Sequence, residues 1–264
     1  MADAPERGAA QRPMHATKPL ALSLLLWVAD GVPREQSMQR WKRTHAELTT
    51  AMPGQEEHRQ LHLAQDSPGL WPSIPGVETQ IPPDRRVDGV AEVTYGSLAA
   101  AWRGREQAAE AREDEVHNFR RTLLYAGPPC SARWYDVAAP SADPGSRLYV
   151  LLRRRHGISL RRFREFVRHG LIDDLCGAGT LTELRTQVFL PWRRALWNSP
   201  RVAHDNPRDQ RFHASVCLGF EDREALRKFV GGPVPETLAA GLTSVTSAVH
   251  AYEATAYRFS PDAN

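Results

Sequence analysis

The feature that most constrains this chain is a loose internal repeat. The segment Asp84-Arg85-Arg86-Val87-Asp88 leads to Tyr95 as Asp209-Gln210-Arg211-Phe212-His213 leads to Phe220, an offset of 125 residues. His45 and His169 lie 124 apart at matching points of two amphipathic stretches, with Glu165 as the counterpart of Trp41. Two hundred and sixty-four residues that repeat in this way read as one unit duplicated and then diverged.

The order of elements within a copy sets the fold. Leu20–Ala29 is an apolar run that reads as a buried strand, and Asp30-Gly31-Val32-Pro33 turns out of it. Met38, Trp41, His45 and Leu48 fall at three- and four-residue spacings, so Gln39–Leu48 is an amphipathic helix with one apolar face. Ser37 is placed to help start that helix, and Pro53-Gly54 to end it. Glu56–Gln65 alternates as a second strand, and Val87–Tyr95 is a third. Between them the proline-rich stretch Asp66–Arg86 is a long loop of the kind that forms lids and cavity walls. Ser97 caps a helix through Leu98 and Trp102, Arg105–Arg121 is helical by composition, and a last strand is expected at Ser131–Val137. The order repeats beyond. Strand Leu148–Arg153, a Ser159-capped helix, strands Leu181–Leu190 and Arg211–Phe220, helices Asp222–Val230 and Glu236–Val249, and strand Ala251–Phe259 follow one another. The expected fold is α+β: two ferredoxin-like βαββαβ units, residues 19–137 and 147–264, joined by a linker at 138–146 and preceded by a disordered tail, 1–18.

Composition excludes several classes. Of 34 basic residues only Lys18, Lys42 and Lys228 are lysine, and the net charge is +3. A GC-rich genome explains that arginine skew, and no nucleic-acid motif accompanies the arginine cluster at 153–168, so no nucleic-acid partner is expected. No twenty-residue apolar span exists, so no membrane segment is expected. Cys130, Cys176 and Cys217 form neither a disulfide framework nor a metal knuckle, as in a reducing cytoplasm. Leu20–Ala29 is better explained as a first strand than as a signal-peptide core, because Asp3 and Glu6 precede it.

Three segments carry a family likeness: Trp41-x-x-x-His45-x-x-Leu48, then Val87-Asp88-Gly89-Val90-Ala91-Glu92-Val93, then Glu113-Asp114-Glu115-Val116-His117-Asn118-Phe119. Together they resemble the EthD family of the dimeric α+β barrel superfamily. The likeness covers residues 20–137 well, and 148–259 only through element order and the aligned histidine. Two departures stand out: Glu47 replaces the usual proline, and the second copy lacks the aspartate-rich segment. The resemblance implies two four-stranded sheets forming one barrel, here within one chain as a pseudo-dimer that could associate further. It also implies metal-free dehydration, cyclisation or decarboxylation of polyketide-type aromatics, with cofactor-free monooxygenases and some haem enzymes as relatives.

Strand alternation suggests where the chemistry would sit. Leu61 and Leu63 take one face of the second strand, and His58, Gln60 and His62 the other. On the third, Gly89, Ala91, Val93 and Tyr95 oppose Asp88, Val90, Glu92 and Thr94. If apolar faces lie under helices, His58, His62, Asp88 and Glu92 meet inside the barrel, with Arg185, Arg211, His213, Ser215 and Cys217 from the second copy. Histidines beside carboxylates suit proton transfer near neutral pH. His45 is the candidate base or acid, with Asp88 or Glu92 orienting an imidazole, and His58 and His62 in support. Trp41, Tyr95, Trp27, His169, His213 and Arg185 are candidates for holding substrate. The same alternation also fits a solvated face, and His45 a satisfied structural histidine.

No metal site is expected. His58 and His62 would stand about 13 Å apart along a strand, and no metal-binding motif occurs. Without a glycine-rich phosphate loop, no nucleotide cofactor is expected either; a haem held by one histidine stays open. The reading is thus a cytoplasmic, cofactor-independent cyclase or dehydratase for a carbonyl-rich, apolar small molecule. A monooxygenase of the same superfamily and a non-catalytic ligand-binding protein are its alternatives.

Overall fold

The computed structural model describes residues 14–259 except 51, 67, 68, 105–107, 138 and 142. Ten strands occur among them. The first unit runs β1 (His15–Lys18), β2 (Leu20–Val28), α1 (Arg34–Arg40), a π-helical turn (Trp41–His45), α2 (Ala46–Thr50), β3 (Gln55–Leu63) and β4 (Gly89–Tyr95). It continues through α3 (Leu98–Arg103), α4 (Ala108–Asp114), β5 (Phe119–Ala126) and β6 (Ala132–Tyr135). The second runs β7 (Ser146–Arg154), α5 (Leu160–Glu165), a second π turn (Phe166–Gly170), α6 (Leu171–Gly177), β8 (Glu183–Val188) and β9 (Ala214–Phe220). Helices α7 (Arg223–Val230) and α8 (Pro233–Val245) and strand β10 (Thr246–Phe259) complete it.

Every strand pairs antiparallel, in the order β1-β6-β8-β9-β7-β10-β3-β4-β2-β5. Each unit shows the ferredoxin-like order, β5-β2-β4-β3 and β10-β7-β9-β8. The units join where β10 pairs with β3, from Ala254 opposite Leu63 to Phe259 opposite His58. The other seam is made by β6, the continuation of β5 beyond the Gly127–Ser131 corner, which pairs with β8. Leu190 N–H donates to Ala126 O beside that corner (2.8 Å). The fold is therefore a single-chain α+β barrel built from two ferredoxin-like units.

Both faces of β2 are covered, which is why Leu20–Val28 is nearly continuous in apolar residues. Leu25 and Trp27 point into the barrel with Leu61, Leu63, Tyr149 and Tyr252, whereas Leu26 packs outward on Met38 and Trp41. Ser97, Ser159 and Asp222 cap their helices, accepting from the N–H of Ala100 (3.0 Å), Arg162 (3.2 Å) and Ala225 (2.7 Å).

Several expected boundaries move. Residues 15–18, expected in the unstructured tail, form β1; residues 1–13 lie outside the described residues. Ser37 lies within α1, which starts after Pro33, where the fixed ring geometry suits helix entry. The expected helix Arg105–Arg121 stops at Asp114, and Phe119–Ala126 is a strand that the charged composition upstream concealed. α8 ends at Val245, and the following Thr-Ser-Ala-Val-His belongs to β10.

The repeat register also shifts. The π turns occupy 41–45 and 166–170, at the offset of 125 that relates β4 to β9. His45 therefore corresponds to Gly170 and Trp41 to Phe166, not to His169 and Glu165.

The barrel seam carries a buried ion network. Arg59, fully buried, donates to Glu92 (2.6 Å) and to Glu183 of the second unit (2.7 Å). Glu183 also takes Arg147 (2.8 Å), and Arg185 reaches Glu57 (2.9 Å). Burial alone would raise the Glu183 carboxyl; the guanidiniums of Arg59, Arg185 and Arg147 override it and hold the group at about 2. Because that value lies below the unfolded one, the contribution is full above the ordinary carboxylate range and lost as pH falls toward 2. Removing one partner strands the others, so Arg59→Met should lower unfolding free energy by roughly 3–5 kcal/mol. Denaturant titration at pH 7 measures it, and a change within experimental error would contradict the role given to this network.

Candidate functional site

The barrel interior is filled. Its polar side chains, Arg59, Glu92 and Arg185 among them, are engaged with one another, and the cleft they leave beside Ser215 and Cys217 measures about 20 Å³. Burial pushes the Cys217 thiol up to about 12, which makes it inert as a nucleophile. Small barrels either fill with side chains or hold one small ligand, and this one is filled.

The expected orientation of β3 is reversed. Leu61 and Leu63 face the barrel, and His58, Gln60 and His62 face the helices. His62 stacks on Trp41 (4.7 Å between centroids), and Gln60 donates to Trp41 O (2.9 Å). Gly89 on β4 makes room for that indole, since a Cβ there would collide with its six-membered ring. His58 Nδ1 lies 3.5 Å from Thr49 Oγ1. Burial lowers His58 to about 4 and His62 to about 3, so both are neutral near pH 7.

The expected meeting of His58 and His62 with Asp88 and Glu92 therefore does not occur. Glu92 is inside the barrel on Arg59, and Asp88 accepts from Val28 N–H (3.0 Å) and Arg34 (2.8 Å). His213, ahead of β9, accepts from Arg154 N–H (3.2 Å). His169 sits half-buried on the second unit's π turn. Arg185 is held in the seam network and Trp27 lies at the far end of the barrel, so neither joins the remaining candidates.

His45 does have a carboxylate, but a different one. Its Nδ1 donates to Asp114 (3.0 Å), which also takes both terminal nitrogens of Arg40 (2.9 and 2.6 Å) and Asn118 (3.2 Å). Those donors, the His45 bond foremost, hold the Asp114 carboxyl far below its ordinary range despite burial. The cluster fastens the α1–α2 segment to α4. With Nδ1 committed, Nε2 is the ring atom left to take a proton.

A cavity of substrate size lies in the first unit. It measures about 670 Å³ and opens between the outer face of the first unit's sheet and the helices over it. Leu20, Leu22, Leu124 and Ala126 floor it, while Leu98, Ala101 and Ala108 of α3 and α4 cover it. Residues 195–198 of the second unit close one side. Their anchor is buried Glu115, which accepts from the Trp197 indole (2.8 Å) and Thr122 (3.0 Å). His204 completes the fastening, with Nδ1 donating to Thr122 O (2.8 Å) and Nε2 accepting from Ser199 N–H (2.8 Å).

The polar wall is sparse: Tyr95, Arg112 and Asn198, with Trp197 under the Arg112 guanidinium (5.5 Å). Burial pushes the Tyr95 phenol above its ordinary value, so it remains a donor. Among the described residues no histidine or carboxylate lines this wall, so a haem seated here would find no imidazole ligand. No cluster of three or more His, Cys, Asp or Glu placed to hold a metal occurs among them either. No helix among them is long and apolar enough to cross a membrane. Of the sequence candidates, only Tyr95 lies on the wall. Arg112 was hidden in a charged stretch, and Trp197 in a loop of the other unit that no local pattern ties to this site.

The EthD domain family model matches residues 29–121, which span α1 to β5 and include His45, Tyr95, Arg112 and Asp114. Comparison with curated proteins gave no match. Among solved structures, an anthrone oxidase-like protein shares the fold at a TM-score of 0.56 and 8% identity, covering 94% of this chain and 97% of its own. A candidate monooxygenase from Fusobacterium nucleatum does so at 0.55 and 8%, covering 92% and 98%. Another from Lactobacillus acidophilus does so at 0.52 and 9%, covering 92% and 97%. At these identities the likeness establishes the fold. The matched segment thus supplies the covering helices and Tyr95, the floor residues Leu20, Leu22, Leu124 and Ala126 flank it on β2 and β5, and the second unit supplies one side.

Histidine titration checks this geometry. The folded values of His58 and His62 lie below the unfolded value near 6.5, so their contribution to stability is full above pH 6.5 and lost as pH falls toward 4 and 3. Melting temperature should fall between about pH 6.5 and 4, and NMR should show both imidazoles neutral down to about pH 5. Titration of either near 6.5 would place it in solvent.

Proposed function

We propose that the protein is a cofactor-independent oxygenase acting on a hydroxylated polycyclic aromatic bound in the 670 Å³ cavity. The observation that carries this reading is the composition of the wall: apolar surface for flat rings, one phenol and one guanidinium, and no imidazole or carboxylate among the described residues. Cyclisation or dehydration by acid–base catalysis needs a base within hydrogen-bond reach of the substrate. An electron-rich phenol that enolises by itself needs none. The solved relatives described as monooxygenases and as anthrone oxidase-like favour the same choice.

The chemistry follows from these parts. One methylene proton leaves to solvent through the open mouth as the substrate enolises, with Tyr95 donating to the enolate oxygen that was the carbonyl and Arg112 to the hydroxyl oxygen beside it. The resulting carbanion at the ring methylene adds to dioxygen, giving a peroxide anion that takes a proton back. Loss of the second methylene proton with cleavage of the O–O bond yields the ketone and water. In sum, one ring methylene and one dioxygen become one ring carbonyl and one water, with the substrate supplying all electrons.

Purified protein should consume one dioxygen per anthrone-type substrate and place one labelled oxygen atom in the product when supplied with heavy-isotope dioxygen. Arg112→Met should lower kcat/KM by about ten- to a hundredfold and Tyr95→Phe by about tenfold, with melting temperatures unchanged. Turnover without oxygen consumption, releasing water from the substrate itself, would return the assignment to a dehydratase.

A further inference from the structure

A second cleft lies at the other end of the barrel, where β2 finishes at Trp27, β5 starts near Arg121 and β7 ends near Arg153. It is narrow, about 20 Å³, and three guanidiniums line it: Arg85, Arg121 and Arg153. Its wall includes no carboxylate among the described residues. Five buried nitrogens of its lining have no hydrogen-bond partner among those residues: Nε of Arg85, Nε of Arg121, Nε and Nη2 of Arg153, and the indole Nε1 of Trp27. Arg153 is only 7% exposed and Trp27 3%. Such a concentration of unanswered buried donors is costly unless something accepts from them.

Glu78 accepts from Arg85 with both oxygens (3.2 and 3.4 Å), from Arg153 (3.1 Å) and from His250 (2.8 Å). Asp205 stands 3.7 Å from Arg121, whose guanidinium also donates to Asp205 O. Asp84 acts on Arg121 as well, so three carboxylates surround the three guanidiniums, yet the five nitrogens named above stay without an acceptor. The Tyr125 hydroxyl already accepts from Asn206 (2.8 Å) and Phe212 N–H (3.3 Å), so its own proton is one more donor. An oxyanion presents several acceptor lone pairs at once, and its bonds to guanidiniums are charge-assisted.

We propose that this cleft is a binding site for a small oxyanion, held by Arg85, Arg121 and Arg153 with the Trp27 indole N–H. The planar guanidiniums suit the paired oxygens of a carboxylate or phosphate. Arg85, Arg121 and Trp27 belong to the first unit and Arg153 to the second, so the bound anion clamps the two units together. The site is separate from the aromatic cavity and does not depend on the reaction proposed there.

Isothermal titration of the full-length protein with sodium acetate, sodium phosphate and sodium chloride, at fixed ionic strength and neutral pH, tests it. Saturable binding of acetate or phosphate at one equivalent is expected, with chloride giving none, and the preferred salt identifies the headgroup. Arg153→Met should weaken that binding roughly tenfold or more, and Trp27→Phe, which keeps an aromatic ring and removes the N–H, about three- to tenfold. The second variant retains every ion pair, so it decides the matter if Arg153→Met unfolds. No saturable binding of either oxyanion, or equal binding by wild type and Trp27→Phe, would overturn the proposal.

Discussion

Arg59 is the residue on which the architecture turns. It has no access to water, and its charge is answered by one glutamate from each unit, at 2.6 Å from Glu92 and 2.7 Å from Glu183. A buried guanidinium is tolerable only while both acceptors stay in place. The two sheets must therefore close around it in one register, with β10 against β3 beside it. Once closed, the barrel is consumed by aromatic packing at its middle and ion pairs toward one end. Any site for a substrate has to lie outside, between sheet and helices.

The two units have resolved that outer layer differently. Both keep a π turn at the same place in the first helical segment. In the second unit the layer is packed with Phe163, Val167, Leu171, Ile172 and Leu175, leaving a void of about 10 Å³. In the first, polar groups replace that packing: Asp114 draws His45 and Arg40 toward α4 while Glu115 anchors Trp197. The helices are thus held near the sheet by hydrogen bonds at a few points, and the space between those points is the cavity.

The strand and helix order was legible because apolar runs and caps such as Ser97, Ser159 and Asp222 are local signals. The facing of β3 was not. Leu61 and Leu63 alternate with His58, Gln60 and His62, and alternation says that two faces differ without saying which one meets helices. On this strand Leu61 and Leu63 turn to the barrel and the histidines to the helices, whereas on β4 Glu92 enters the barrel and Tyr95 lies under helices. Tyr95 could be found because strand parity places it under helices. His45 could be singled out as a buried polar residue, but its partner lies 69 residues on, in Asp114. Trp197 comes from the other unit, and only tertiary structure carries it to the cavity.

The most direct measurement is a crystal structure of the protein with a redox-inert hydroxylated tricyclic aromatic. The account predicts density between the sheet and α3–α4 of the first unit, with a ligand hydroxyl against Arg112 and a carbonyl oxygen against Tyr95. Density inside the barrel, or in the packed helix layer of the second unit, would contradict it.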